Sequence, residues 1–289
     1  MILFLSLLSC ASPAPQTAPT TPAPVTVTEP ATSLIPPDQK AVIDHAVSGL
    51  KQLCAKSARA CELLDFFTKN SIEAVALPDG VRIVSAPDVQ YPFLVIGIPG
   101  AHKNTGNISF SGARFGRDQG PVPIMELNGS DTHPLGAGLM LAHELTHAEE
   151  HFLHAEPMSE YPEPNWLISE GVAHHTVSVV LDQYTGGTWS KAIASRMDNI
   201  QEYLAKTGQD PKLAAFGRGP NDVLTIKATL PGADDVTIGA LLAQMDIETS
   251  MARTRYWSAE SKLAPDERQT ALIATLKAFY EQMNYDPSR

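Results

Sequence analysis

Three features of the 289-residue chain predict an α+β domain, with a small, mostly antiparallel sheet packed on a long helix and followed by a helical C-terminal lobe. Apolar residues recur at helical spacing between Pro37 and Asn70, short β-branched and aromatic runs crowd the stretch from Val81 to Leu127, and helical periodicity returns after Gly129. Helix, then sheet, then helices is the order of an α+β chain rather than a doubly wound one. Apolar residues make up 43% of the sequence, enough to bury a substantial core.

The chain opens on MILFLSLLS, which is too short for a bilayer core of about 30 Å and has the character of the apolar part of an export signal. Cys10 follows in the context Leu7-Leu8-Ser9-Cys10-Ala11, which resembles the lipobox of bacterial lipoproteins, where the cysteine becomes the acylated N-terminus. The resemblance implies lipidation at Cys10, export, and attachment to a membrane of the bacterial cell envelope through an N-terminal lipid anchor. An ordinary cleaved signal with an incidental cysteine is the plainer alternative. Residues 11–37 are rich in Pro, Thr, Ala and Ser, a composition that cannot pack a core and is expected to form a tether. The expected organisation is a signal and lipobox over 1–10, a tether over 11–37 and a folded domain over 38–289. Within that domain the first helix and sheet occupy about 38–130, and the later helices about 131–289.

In the first part, Val42, Ile43, Ala46, Val47, Leu50, Leu53 and Leu63 to Phe67 predict one helix or a helical pair, with Asp38 as the cap. Cys54 and Cys61 fall within it. Seven residues of unbroken helix rise about 10.5 Å, beyond the Cα separation of about 4.4–6.8 Å in a disulfide. Either the helix breaks within AKSARA or the two thiols stay separate. The runs VRIVSA, YPFLVIGI, NISFSG and PVPIMEL predict strands, and connections without helical stretches favour an antiparallel meander. Helices are then expected at about 135–154, 165–184, 188–206, 236–248 and 265–284.

With 21 basic against 32 acidic residues the formal charge is −11, a field that repels phosphate backbones. No basic run or finger-like Cys/His spacing offsets it, so a nucleic-acid partner is not expected. Ser111, Ser169 and Ser178 lack a nucleophile elbow, and Cys54 and Cys61 lack an accompanying histidine pattern. Serine and thiol nucleophiles therefore have no footing.

The segment GAGLMLAHELTHAEEHFLHAEP carries His143 and His147 at i and i+4, so on a helix both imidazoles leave one face within reach of a single ion. Zinc favours imidazole nitrogen, and a catalytic zinc keeps three protein ligands and one open position for water. Glu144 stands beside the first histidine, where a carboxylate can take a proton from zinc-bound water and deliver it to a leaving amine. An amphipathic helix with an incidental polar face is the alternative, and His151 and His154 extend its histidine stripe. Downstream, YPEPNWLISEG turns through prolines into a helix bearing Glu170, 23 positions after His147.

HELTH followed by W-L-x-x-E-G resembles the gluzincin superfamily, the zinc peptidases related to thermolysin, and N-W-L-x-x-E-G-x-A is especially similar to its compact, minimal-domain members. The likeness covers His133 to Ala173. It implies a zincin-like fold, one Zn2+ per chain held by His143, His147 and Glu170, Glu144 as general base, and a peptide or protein substrate. In thermolysin an aspartate four positions after the ligand glutamate orients a zinc-bound histidine. Here that place holds His174, followed by His175, so an orienting carboxylate is unassigned; His174 is either a supporting residue behind the ligands, a hydrogen-bond partner of the ligand, or a residue that is merely buried. Tyr256 and His175, with Tyr161 and Tyr184, are candidates for stabilising an oxyanion. The strand within GPVPIMELNG, with Pro121 and Pro123, is the candidate edge along which an extended peptide lies, a plain strand of the core being the alternative. Trp166 and Leu167 are expected in the core.

Three readings follow. The first is a zinc-dependent peptidase of the cell envelope, and the second a catalytically silent zinc-binding or assembly lipoprotein with a gluzincin-like fold. The third is a nonpeptidase zinc protein with a chance motif. Glu144 favours the first over the second, because binding alone has no need of a carboxylate there. Glu170 disfavours the third.

Overall fold

The computed structural model describes residues 35–77, 80–84, 88–99, 113–116, 122–128, 133–153, 163–208 and 220–260, with scattered positions between 267 and 278. All of them belong to one unit, Ser33–Arg289. Cys10, the signal and most of the expected tether lie outside the described residues.

The first helix, α1 (Pro37–Cys54), starts with Pro37 at its first position, where a missing N–H leaves no bond unmade. Asp38 is not its cap. Pro36 holds that position, and Asp38 lies in the first turn, where its charge suits the positive end of the helix dipole. The helix breaks within AKSARA: Ser57 caps α2 (Ala58–Asn70), its hydroxyl accepting from the Ala60 N–H at 3.1 Å. The break brings the Cα atoms of Cys54 and Cys61 to 4.5 Å, and the two are joined in a disulfide.

Five strands follow: β1 (Ser71–Leu77), β2 (Gly80–Ile83), β3 (Phe93–Ile98), β4 (Ala113–Gly116) and β5 (Ile124–Asn128). The sheet is mixed, in the order β2-β1-β3-β5-β4, and this corrects the expected antiparallel meander. Chain direction does alternate from strand to strand, but β2 and β4 sit at the edges, so β1, β3 and β5 lie side by side and parallel. The signal was present in FLVIGI, a continuous apolar run of the kind buried on both faces of a parallel sheet. Phe93 and Val95 join Met125 and Leu127 in the main core, whereas Leu94, Ile96 and Ile124 join Ile72 and Ala74 in a second cluster. The expected peptide-binding edge is also corrected. β5 is an inner strand, paired with β3 and β4, and the Pro123 carbonyl accepts from the Leu94 N–H at 2.8 Å. The strand at that edge is β4. NISFSG lies outside the described residues, and β1 was not anticipated.

Helices α3 (Pro134–Leu153), α4 (Glu163–Tyr184) and α5 (Thr188–Thr207) match expectation closely, whereas α7 (Asp235–Glu260) extends twelve residues past the expected end. α6 (Pro220–Thr229) was not foreseen, being short and offering few apolar positions. Among the described residues no helix is long and apolar enough to cross a membrane.

Helix α1 crosses α3 where two glycines meet. A Cβ on Gly49 would fall 1.7 Å from the Pro134 carbonyl oxygen, and one on Gly138 would fall 2.3 Å from the Gly49 carbonyl carbon. Backbone cannot swing aside as a side chain can, so this contact fixes the depth at which α3 lies in the core. Gly138→Ala is expected to lower unfolding free energy by about 3 kcal/mol or more in urea titration. The disulfide closes a short loop, and replacing both cysteines by serine is expected to cost about 2.5 kcal/mol in the same assay.

Candidate metal centre

Helix α3 is buried on nearly every face: from Ala137 to Thr146 each residue is inside, including His143, Glu144 and Thr146. Thr146 satisfies its hydroxyl on the Ala142 carbonyl at 2.9 Å. His143 and His147, one turn apart, present their Nε2 atoms to each other at 3.1 Å. Glu170, from the middle of α4 and only 8% exposed, places Oε2 3.2 Å from His143 Nε2 and Oε1 3.4 Å from His147 Nε2. The α4 backbone is held there by Leu167, which packs with Ile247, Met251 and Leu276.

These three side chains form a group that can hold a metal ion. Donors bound at about 2.1 Å to a tetrahedral ion are separated by about 3.4 Å. The 3.1, 3.2 and 3.4 Å separations meet that requirement without rearrangement. The donor set is two imidazoles and one carboxylate, which suits zinc and other first-row divalent ions.

The electrostatics show what the arrangement demands. Burial works to raise the Glu170 pKa, but the His147 charge and hydrogen bonds from His143 and His147 hold it well below the usual carboxylate value of 4.5. Burial works to lower the His147 pKa, yet the Glu170 carboxylate outweighs it, with smaller help from Glu144 and Glu150, and leaves it raised above 6.5. Acceptors converging in the interior need a positive charge among them, and a proton on His147 or a divalent cation meets that need.

Supporting contacts include residues the sequence did not single out for this role. His147 Nδ1 lies 2.9 Å from Ser169 Oγ, so with Nε2 turned to the centre its Nδ1–H donates to that hydroxyl. His174, considered as a supporting residue, is buried one turn beyond Glu170, its ring 4.7 Å from that of His143. Its Nδ1 meets Gln244 Oε1 at 2.8 Å. Gln244 Nε2 in turn donates to the His174 carbonyl at 2.8 Å and to Ser178 Oγ at 2.9 Å, and Trp189 Nε1 donates to the same hydroxyl at 3.2 Å. Burial and the neighbouring His143 push the His174 pKa down to about 3. Gln244 is fully buried in an apolar stretch of α7, and that mismatch was the one signal in the sequence.

The remaining candidates do not gather here on the described geometry. The His175 ring is half exposed, with Nδ1 3.6 Å from Glu248 Oε1. Tyr184, at the far end of α4, packs on the main core beneath Lys56. The side chains of Tyr256 and Trp166, and all of Tyr161 and His154, lie outside the described residues, while His151 packs edge-on against Phe152. No family model, curated protein or solved structure matches the chain.

Protons compete with metal for imidazole nitrogen, so the raised His147 pKa sets a pH window. Affinity for zinc is expected to be full above that value and to fall as pH drops through it, beginning above the ordinary histidine range of about 6.5. Competition titrations across pH check this. Ser169→Ala is expected to weaken zinc binding by about tenfold at neutral pH in the same titration.

Proposed function

We propose that the chain is a zinc-dependent metallopeptidase in which His143, His147 and Glu170 hold the ion and Glu144 is the general base. One observation carries the reading: two imidazoles one turn apart and a carboxylate from the next helix converge at ligand spacing, with a second buried carboxylate adjacent in sequence to the first imidazole. When bound, zinc acts as a Lewis acid, polarising a carbonyl and lowering the pKa of water to about 7. Glu144 takes the proton of the attacking water and returns it to the leaving amine. Glu170 neutralises part of the ion's charge and fixes His143 and His147 on the centre. Ser169 keeps the His147 ring from rotating.

An extended peptide would add to the sheet along β4, the edge strand beside β5, through main-chain hydrogen bonds. The gluzincin likeness of HELTH and W-L-x-x-E-G supports the same chemistry, and the lipobox-like Cys10 context supports a place in the cell envelope.

The purified chain is expected to bind about one zinc ion and to cleave members of a peptide library. Glu144→Gln is expected to retain the metal and lose cleavage by at least about a hundredfold. Metal binding by the unaltered chain without any cleavage would overturn the peptidase reading in favour of a silent zinc-binding lipoprotein.

A further inference from the structure

We infer that the Cys54–Cys61 disulfide is a redox gate on the metal centre: closed, it seats α3 for zinc through the Arg59–Glu149 ion pair, and its reduction by a dithiol loosens that seat. The inference rests on the metal centre proposed above and adds a means of regulation to it.

The bond encloses a helix break that most of the enclosed residues do not require. AKSARA holds no glycine or proline, and alanine, lysine and arginine are good helix formers. Unbroken helix would set the two Cα atoms about 10.5 Å apart, whereas the disulfide holds them at 4.5 Å. Ser57, extended at φ −122° and ψ 115°, caps α2 and helps to keep the chain bent. Closed disulfide and continuous helix exclude each other, so the turn is a two-state element whose state the bond selects.

Both metal-bearing helices are attached to that turn. Ser57 Oγ donates to Gln183 Oε1 at 2.7 Å and the Arg59 N–H donates to the same oxygen at 3.1 Å, which ties the turn to the end of α4. The Arg59 guanidinium forks onto Glu149, Nη2 to Oε2 and Nη1 to Oε1, the second contact at 3.5 Å. Glu149 follows His147 by two positions and so lies about half a turn round α3 from it. Its carboxylate is only 13% exposed, so the pair is more than a surface contact. A bidentate pair fixes direction as well as distance, and here it sets the rotation of the α3 turn that carries His147. Donor separations of 3.1, 3.2 and 3.4 Å leave little tolerance for a change in that rotation.

The bond is within reach of a reductant. Both cysteines are half-buried, and Ala55, Lys56 and Ala58 between them are exposed. A dithiol's first thiolate attacks one sulfur, the S–S bond breaks and a mixed disulfide forms. Its second thiolate then closes the reductant into a disulfide of its own, leaving two cysteine thiols that have gained two electrons and two protons. Disulfides persist in oxidising compartments and are rare where glutathione and thioredoxin keep thiols reduced. The gate thus reserves tight zinc binding for an oxidising compartment.

The test is zinc affinity, read by competition with a chromogenic chelator on full-length chain shown to be folded by circular dichroism. Two forms are expected to bind zinc about tenfold more weakly than the oxidised chain. One is chain reduced with dithiothreitol and desalted under nitrogen; the other is the Cys54→Ser/Cys61→Ser variant, which has no thiol pair to take up the ion. Arg59→Met with the disulfide intact is expected to weaken binding as much, and adding the two serines to it little further, because both changes cut one link. A bond that only stabilised the fold would lower the unfolding midpoint in urea and leave the affinity of the folded chain unchanged. Unchanged affinity in the serine variant or in Arg59→Met, or fully additive losses, would overturn the inference. Oxidised chain that binds no zinc at all would overturn the metal centre itself, a distinct result.

Discussion

A helix buried on nearly every face cannot carry two imidazoles and a facing carboxylate into the interior unless positive charge joins them. Desolvation of an unpaired charge costs several kcal/mol even after relaxation. Most of what surrounds α3 follows from that constraint. Glu170 arrives on α4 at donor spacing, stays ionised, and holds His147 ready to carry a proton or bind a cation. The site is an electrostatic unit before it is anything else. Removing Glu170 alone would leave the imidazoles facing one another at 3.1 Å with only the weaker influence of Glu144 and Glu150 on His147.

Precision comes from packing. The Gly49 and Gly138 crossing seats α3 against α1 with no side chain between the backbones, and α1 and α3 together cover one face of the sheet. On the other flank, Leu167 ties α4 to α7, and Gln244 reaches across the same interface to His174 and Ser178. Backbone contact on one side and a buried amide on the other leave the three donors little freedom. A centre built on such elements is preorganised, and little conformational entropy is lost when it takes up an ion.

The parts of this arrangement that were legible in the sequence are those set by local spacing. His143, Glu144 and His147 are fixed relative to one another by helical pitch, and the family likeness of W-L-x-x-E-G pointed to Glu170 on the next helix. The helix break between Cys54 and Cys61 was legible as an alternative, because unbroken helix and disulfide are geometrically exclusive. Sheet order was not, since nothing local distinguishes a meander from a sheet whose return strands are sent to the edges. β1 escaped notice because SIEAVAL mixes Glu and Ala with few β-branched residues and follows α2 without a loop. Ser169 was weighed only as a nucleophile, and Gln244 stands 70 residues from His174, so their roles depend on helix packing that no short window encodes.

The choice of neutral partners has a consequence of its own. A divalent ion held by ionised Glu170 would be balanced in part by that one carboxylate, and each further carboxylate would bring a desolvation cost of its own in a low-dielectric interior. Ser169 and Gln244 hold their imidazoles by hydrogen bonds that add no charge. A carboxylate in either place would make the imidazole more basic and soften the ion's pull on electrons, whereas a hydroxyl or an amide leaves that pull intact. Orientation by neutral groups thus holds the imidazoles in place without adding buried charge.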